Sequence, residues 1–386
     1  MLIIKDALHG GVRLSQAEAA LLDSKPLQRL RGVRQLALAS LVYPGANHTR
    51  FEHSLGTAHL AGRLCGQLSL PPEDAVEVRA AALLHDVGHP AFSHELEELA
   101  IRFAGKGHEA AGREKIVKGE IAGVLEKNGL SPAKIGSLAV GRGLGCLITG
   151  ELGSDRMDYL ARDAYYTGVA FGVVDSDRII ECTLLRRGRL LVDEGGLAAA
   201  EALLAARFLM FSAVYLHHTV RIASAMLYKA AEQALEEGEV PADSLLSHTD
   251  SAFFHLLKNA PSSRALALAL EERRLFKRAF EVHPSALSES LRRALRSPRG
   301  LRKIERELAA AAGASAGDVI IDFPLMAWEK GVGVRVLKEG KERRLEELSE
   351  LVASLKRAEA SRAGIIVACP KKSVERVRRA CRRIFA

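Results

Sequence analysis

A mainly α protein is predicted by three features of this chain: Ala/Leu-rich stretches with helical spacing, Gly and Pro clusters that separate them, and strand-like apolar runs that are concentrated beyond Gly313. The expected architecture is a helical core over 1–312 followed by a small α/β lobe over 313–386. Amphipathic helices are expected near 15–22, 26–38, 50–68, 73–86, 108–128, 155–165, 198–236, 263–280 and 286–310. A β-hairpin interrupts them near 182–194, where Arg186-Arg187-Gly188-Arg189 separates two short apolar runs. In the C-terminal lobe, 319–323, 333–337 and 364–368 read as strands, and 343–357 and 372–384 as helices. The lobe is too short to stand as an independent folding unit without docking onto the helical part. There is no internal repeat and no low-complexity segment.

Composition narrows the function classes. With 386 residues, 48% of them hydrophobic, the chain can bury a sizeable core. No run of eighteen apolar residues occurs and Met1-Leu2-Ile3-Ile4-Lys5-Asp6 lacks the regions of a signal peptide, so a cytoplasmic protein without a membrane role is expected. Five scattered cysteines (65, 146, 182, 369 and 381) form no Cys-x-x-Cys pair, so any metal must be held by His and carboxylate. The formal charge of +8 suits an anionic ligand such as a nucleotide phosphate or nucleic acid. Part of that surplus is local, at 292–303 and 371–383. Either stretch can be a solvated, Arg-rich helix face or a phosphate-binding arm.

The densest chemistry lies in Ala81-Ala82-Leu83-Leu84-His85-Asp86-Val87-Gly88-His89-Pro90. Adjacent residues point about 100° apart on a helix, so His85 and Asp86 cannot share a helical face. At a helix end, with Gly88 and Pro90 as stop signals, both can turn toward one metal ion. His53 offers a second imidazole from the helix through 50–57. In the stretch 153–163, Asp155, Tyr159 and Asp163 are spaced by four and lie along one helix side, whereas Asp158 stands four residues before Arg162, as in an intrahelical ion pair. Asp155 is therefore the better ligand candidate of the two. Two His and two Asp suit one divalent cation among Mn, Fe, Ni, Zn and Mg, with coordination positions left for water and substrate.

These motifs, in this order, resemble the HD-domain phosphohydrolases, in the branch that hydrolyses deoxynucleoside triphosphates. The resemblance rests on Asp-x-x-His-Gly at 6–10, Pro26-Leu27-Gln28-Arg29-Leu30-Arg31 with Gln35, Pro-Gly-Ala-x-His-x-Arg-Phe-Glu-His-Ser-Leu-Gly at 44–56, His-Asp-x-Gly-His-x-x-Phe-Ser-His at 85–94, and Asp-Tyr-x-Ala-Arg-Asp at 158–163. It covers nearly the whole chain and makes 1–312 the HD domain. It implies one divalent metal ion per subunit on His53, His85, Asp86 and Asp155. It implies His89, His94 and His108 around the substrate phosphates, with His94 as the catalytic acid, a task that suits a side chain titrating near neutrality. Arg50, Arg156 and Arg207 would meet the triphosphate, although position 156 carries Lys in the vertebrate relative. Gln35 and Asp163 would bond the deoxyribose 3′-hydroxyl, Tyr215 would pack on the sugar, and Tyr159 completes the substrate set. The implied reaction is attack of water on the α-phosphorus, releasing deoxynucleoside and intact triphosphate.

Regulation is also implied. Asp23, Gln28 and Arg31 match positions that read a guanine nucleotide in regulated relatives, but Lys5 replaces an Asn and no N-terminal SAM domain is expected. Gln28 and Arg31 can equally hold an N-terminal helix on the core. A homo-oligomer, dimer or tetramer, and an activating nucleotide are thus expected partners beside the deoxynucleotide substrate, with nucleic acid as a secondary one. Two other functions stay open: another HD activity such as a nucleotide phosphatase or phosphodiesterase, and a nucleotide- or nucleic-acid-binding regulatory protein without catalysis.

Overall fold

The computed structural model describes residues 2–323, 333–359 and 364–385 and is mainly α. A hairpin of β1 (Leu2–Asp6) and β2 (Gly10–Leu14) opens the chain. The helices α1 (Gln16–Leu22), α2 (Lys25–Arg29), α3 (Arg50–Gln67) and α4 (Pro72–Leu84) follow it. Then come α5 (Glu97–Ala104), α6 (His108–Val117), α7 (Gly119–Lys127), α8 (Pro132–Ala139), α9 (Cys146–Thr149), α10 (Ser154–Thr167) and α11 (Ser176–Glu181). The expected hairpin is present as β3 (Thr183–Arg186) and β4 (Arg189–Asp193). Next are α12 (Leu197–Met210), α13 (His218–Glu236), α14 (Ser244–Ser247), α15 (Asp250–Asn259), α16 (Arg264–Glu271), β5 (Lys277–Val282), α17 (Glu289–Leu295) and α18 (Pro298–Ala312). The remainder holds β6 (Ile320–Asp322), β7 (Arg335–Lys338), β8 (Lys341–Arg344), α19 (Leu345–Leu348), α20 (Glu350–Glu359), β9 (Ile365–Cys369) and α21 (Val374–Ile384).

By backbone proximity the chain forms two compact units that interleave in sequence: Met1–Met210, Pro241–Phe253 and Val332–Leu355 in the first, Phe211–Val240, Phe254–Gly331 and Lys356–Ala386 in the second. The segment 313–386 is shared between them. Its β7–β8 hairpin extends the sheet of the first unit in the order β3-β4-β7-β8, with β4 and β7 parallel. Its β6 and β9 join β5 in the second unit, in the order β5-β9-β6, all antiparallel. Every residue of β9 is buried, as a central strand requires, and Val367, Cys369, Leu308, Val377 and Cys381 share that unit's core.

Several expected helices are shorter or broken, for identifiable reasons. The stretch 26–38 leaves the helix after Arg29, passes through a short 3-10 turn, and gives its later donors away: the Arg34 amide bonds Asp250 Oδ2 and the Gln35 amide bonds the His48 carbonyl. The stretch 108–128 is two helices divided at Gly119, whose φ of 73° ends the first. A π turn at Phe211–Tyr215 splits 198–236. The second half of 263–280 is not helix: β5 is recruited as an edge partner for β9. Ser297 caps α18 and splits 286–310, with Pro298 at its first turn. The β1–β2 hairpin, α5, α8 and α15 lie outside all the expected elements. One helical stretch among the described residues, Glu194–Tyr215, is long and apolar enough by composition to cross a membrane, a property that core helices share.

Candidate metal centre and phosphate cavity

Three helices of the first unit carry the site, α3 packing on both α4 and α10. Both flanks of α3 are covered, so its polar residues Arg50, His53 and Thr57 are buried along with its apolar ones. Helix α4 stops at Leu84. His85 is its C-cap and Asp86 lies in the following turn, which lets the two side chains converge although they are sequence neighbours. Gly88 does not end the helix by a left-handed conformation, as a stop signal would. A Cβ there would strike the His108 carbonyl and the Gly112 backbone, so Gly88 exists to let the turn lie flat on α6. Arg29 and Lys115 clamp the same turn, donating to the carbonyls of His89 (2.6 Å) and Val87 (3.3 Å) and onward to His248 (2.9 Å) and Leu246 (2.7 Å).

The four expected ligands meet. His53 Nε2 lies 3.1 Å from Asp155 Oδ1 and 3.8 Å from Asp86 Oδ2, and His85 Nε2 lies 3.3 Å from Asp86 Oδ1 and 3.9 Å from Asp155 Oδ1. His85 Nδ1 donates to the Ala82 carbonyl at 2.8 Å, which leaves the Nε2 lone pair toward the cluster. That buried Nε2 has no hydrogen-bond partner among the described residues. An orphaned imidazole nitrogen facing two carboxylates and a second imidazole is the donor set of a divalent cation, and the residues present fit one.

Behind the cluster runs a buried network that the sequence reading missed. Asp158 accepts from His53 Nδ1 (2.8 Å), from His9 Nε2 (2.7 Å) and from Arg162 (2.8 and 3.0 Å). Arg162 also bonds Asp6, whose other contacts are the amides of Leu8 and His9. The 158–162 ion pair was legible from its spacing; its second duty on His53 was not. Gly56 makes room for it, since a Cβ there would collide with Asp158 and Arg162. Burial would lower the His53 pKa, but the bonds to Asp155 and Asp158 carry it up to about 10. Burial disfavours the Asp86 carboxylate, yet Arg50, His85 and His89 hold it well below the usual range.

The opposite wall carries three more imidazoles. His89 stacks on His108, with centroids 4.1 Å apart, and meets His94 edge-on at 4.7 Å. Glu97 bonds the Nδ1 of both His94 (2.9 Å) and His108. It is a residue that sequence reasoning passed over, although it stands three positions after His94. Between the walls Arg50, buried, donates to Asp86 Oδ2 and Ser93 Oγ, each at 2.6 Å. Phe92 and Ser93 both adopt positive φ, near 57°, which turns Ser93 toward Arg50. A cavity of about 240 Å³ joins the walls and is lined by Gln35, Arg50, His85, Asp86, His89, His94, His108, Asp155 and Tyr159, with Glu109 and Thr149. The Gln35 Oε1 atom is buried there without a hydrogen-bond partner among the described residues.

Other expected residues stand further out. Arg156 is engaged by Glu151, and Asp163 by His48 Nε2 at 2.7 Å. Arg207 lies within electrostatic reach of the Tyr159 phenol. Tyr215 belongs to the second unit, where its ring packs edge-on against Phe211 at 4.9 Å. Of the expected nucleotide-reading residues, Gln28 donates to the Leu22 carbonyl and accepts from Arg31, Arg31 covers the Phe51 ring at 3.6 Å, and Asp23 caps α1.

Comparison with known proteins gives the same frame. Residues 50–132 match the HD domain family, and residues 174–386 match the HD associated region. An uncharacterised protein of Methanocaldococcus jannaschii is 34% identical over 98% of this chain and 81% of its own length. The cattle deoxynucleoside triphosphate triphosphohydrolase SAMHD1 is 42% identical over 24% of this chain, which spans only 17% of that protein. Among solved structures, a hypothetical protein from Aquifex aeolicus shares 32% identity at a TM-score of 0.79, covering 98% of this chain and 99% of its own. A Bacteroides thetaiotaomicron phosphohydrolase shares 25% identity at 0.75, covering 96% and 100%.

Proposed function

We propose, from the premise that this chain belongs to the HD-domain phosphohydrolase superfamily, that it is a deoxynucleoside triphosphate triphosphohydrolase. The general activity, metal-dependent phosphohydrolysis, accords with the family and with the His/Asp cluster. His53, His85, Asp86 and Asp155 would hold one divalent ion. Such an ion supplies Lewis acidity, lowering the pKa of a water and polarising a phosphoryl oxygen.

The chain's own residues do the rest. Arg50, poised between Asp86 and the cavity, binds phosphate oxygens in the planar, two-pronged manner that guanidinium allows. Arg156 and Arg207, near the start and side of α10, extend positive charge along a polyphosphate. His94, oriented by Glu97, donates a proton to the leaving oxygen, with His108 and His89 beside it. Gln35 accepts from the deoxyribose 3′-hydroxyl, assisted by Asp163, while Tyr159 shapes the sugar pocket. The observation that carries the reading is a cavity with His85, Asp86 and Asp155 of the metal cluster on one wall, three imidazoles on the other and a buried Arg between them. Identity of 42% to a triphosphohydrolase over 24% of this chain supports the substrate class.

The proposal includes a cytoplasmic homo-oligomer, a dimer or tetramer, in which Asp23, Gln28 and Arg31 take an activating nucleotide, with nucleic acid on the basic helices as a secondary partner. Its test is product analysis on metal-loaded protein given each dNTP, NTP and dNMP, singly and in mixtures, with Mg, Mn, Fe, Ni and Zn compared. Intact triphosphate plus deoxynucleoside is expected. Inorganic phosphate as the product would overturn it in favour of a phosphatase, and activity confined to mixtures would identify an activator.

A further inference from the structure

We infer that His48 is a positioning residue that holds both groups read on the deoxyribose 3′-hydroxyl, Gln35 and Asp163, and so sets the preference for a sugar that carries that hydroxyl. The inference rests on the substrate reading above and adds a residue and a selectivity to it. His48 lies in the loop before α3, and its side chain has no exposed surface. Its Nε2 stands 2.7 Å from Asp163 Oδ1, across 115 positions of sequence. Its Nδ1 is buried without a hydrogen-bond partner among the described residues. A charged ring would bury a second N–H donor with nothing to receive it. The ring is therefore neutral and carries its one proton on Nε2, where the carboxylate accepts it.

The backbone of the same residue serves the other group. The His48 carbonyl accepts from the Gln35 amide at 3.0 Å, and the Arg50 amide donates to the Val33 carbonyl at 2.9 Å. Arg34 and Thr49 form an antiparallel bridge between these two bonds. This short ladder fixes the backbone of Gln35 and of Arg50, whose side chains both line the cavity. Asp163 stands one turn beyond Tyr159 on α10, and Tyr159 lines the same cavity.

The imidazole is itself held. Tyr166 stacks on it with centroids 4.7 Å apart and planes 17° from parallel. The Tyr166 hydroxyl donates to Glu52 Oε1 at 3.4 Å, and Glu52 closes the capping box of α3. The ring is thus clamped between the first turn of α3 and the last turn of α10. A hydrogen bond to one oxygen sets the plane of a carboxylate, and polar groups preset for a hydroxyl are left unpaired when that hydroxyl is missing. His48 therefore acts on the difference between a deoxynucleotide and its 2′,3′-dideoxy analogue.

The test compares kcat/KM for each dNTP and its 2′,3′-dideoxy analogue in metal-loaded protein. Wild type is expected to favour the dNTP by about 100-fold or more, as a site built to bond a hydroxyl does. His48→Phe keeps a stacked ring without the donor and should lower that ratio about tenfold, through a loss on the dNTP. His48→Gln returns an N–H near the Nε2 position and should restore most of the ratio. A smaller folded fraction lowers both substrates together and leaves the ratio where it was, so the readout separates positioning from stability. Where His48→Phe fails to fold, Tyr166→Leu removes the stack from a half-buried position and is expected to move the ratio the same way. Isotope-edited NMR of the histidines should show His48 as the Nε2–H tautomer. An unchanged ratio in these variants with dNTP turnover retained, or an Nδ1–H tautomer, would overturn the inference and leave the function standing. Release of no triphosphate from any dNTP would overturn the substrate reading and the sugar selectivity with it, while an Nε2–H tautomer would still uphold the His48–Asp163 bond.

Discussion

Asp155 and Asp158 are three residues apart on α10 and both touch His53, yet their substitution should divide differently between stability and metal binding. Asp158 is fully buried and receives His53 Nδ1, His9 Nε2 and both prongs of Arg162, a side chain that is itself fully buried. In Asp158→Asn the amide can accept from one of these donors but turns its NH2 on another, and Arg162 keeps only Asp6. Breaking one side of a buried ion pair costs about 3–5 kcal/mol because the surviving charge has lost its solvation and its partner. His53 also loses the acceptor that fixes its tautomer, a loss that typically weakens metal binding about 10–100-fold. Asp155 is 31% exposed at its side chain and bonds only His53 in this network. Asp155→Asn should therefore abolish measurable metal binding while costing less than about 1 kcal/mol of metal-free stability. Urea denaturation of metal-free protein reads the stability, and competition against a chelating dye reads the metal affinity. Equal stability losses in the two variants, or wild-type metal affinity in Asp158→Asn, would refute the assignment of ligand and support.

Other expectations follow from the same geometry. Gly56→Ala pushes a methyl into the Asp158–Arg162 pair and should destabilise the metal-free chain by about 1–3 kcal/mol, with metal affinity falling in parallel; unchanged denaturation midpoints would contradict the close approach. His53 in the metal-free chain titrates near 10 but must be neutral to ligate, so binding at pH 8 should release about one proton and affinity should rise about tenfold per pH unit from 7 to 9. Calorimetry in buffers of different ionisation enthalpy measures that proton, and a pH-independent affinity would place the raised pKa elsewhere. Glu97→Gln removes the carboxylate that orients His94 and His108 and should lower kcat about 10–100-fold without altering binding at the His53 cluster; wild-type turnover in that variant would remove Glu97 from the site.

The four candidate ligands were legible because their signals are local: an imidazole and a carboxylate at a helix end, and carboxylates at helical spacing on α10. What supports them was not, because it is made by contacts across the chain. His9 reaches Asp158 over 149 positions and His48 reaches Asp163 over 115, and neither partner is signalled by its own neighbours. The Asp-x-x-His-Gly run at 6–10 was visible as a motif, but its purpose, a turn held by Asp6 that presents His9 to the back of the metal cluster, needed the fold. The same limit governs the elements. Helical period predicted the stretches near 50–68 and 155–165 closely, because both are decided by packing along their own length. It failed at 272–280, where the preference of the segment yielded to the need of a fully buried β9 for a second neighbour. Glu97 shows how narrow the gap can be. Its spacing from His94 is local, but an acidic residue three positions from an exposed histidine carries no meaning until His108 arrives from the next helix to share it. The chemistry of this site is thus written in short motifs, whereas the tautomers and charges that make it usable are set by partners that only tertiary structure supplies.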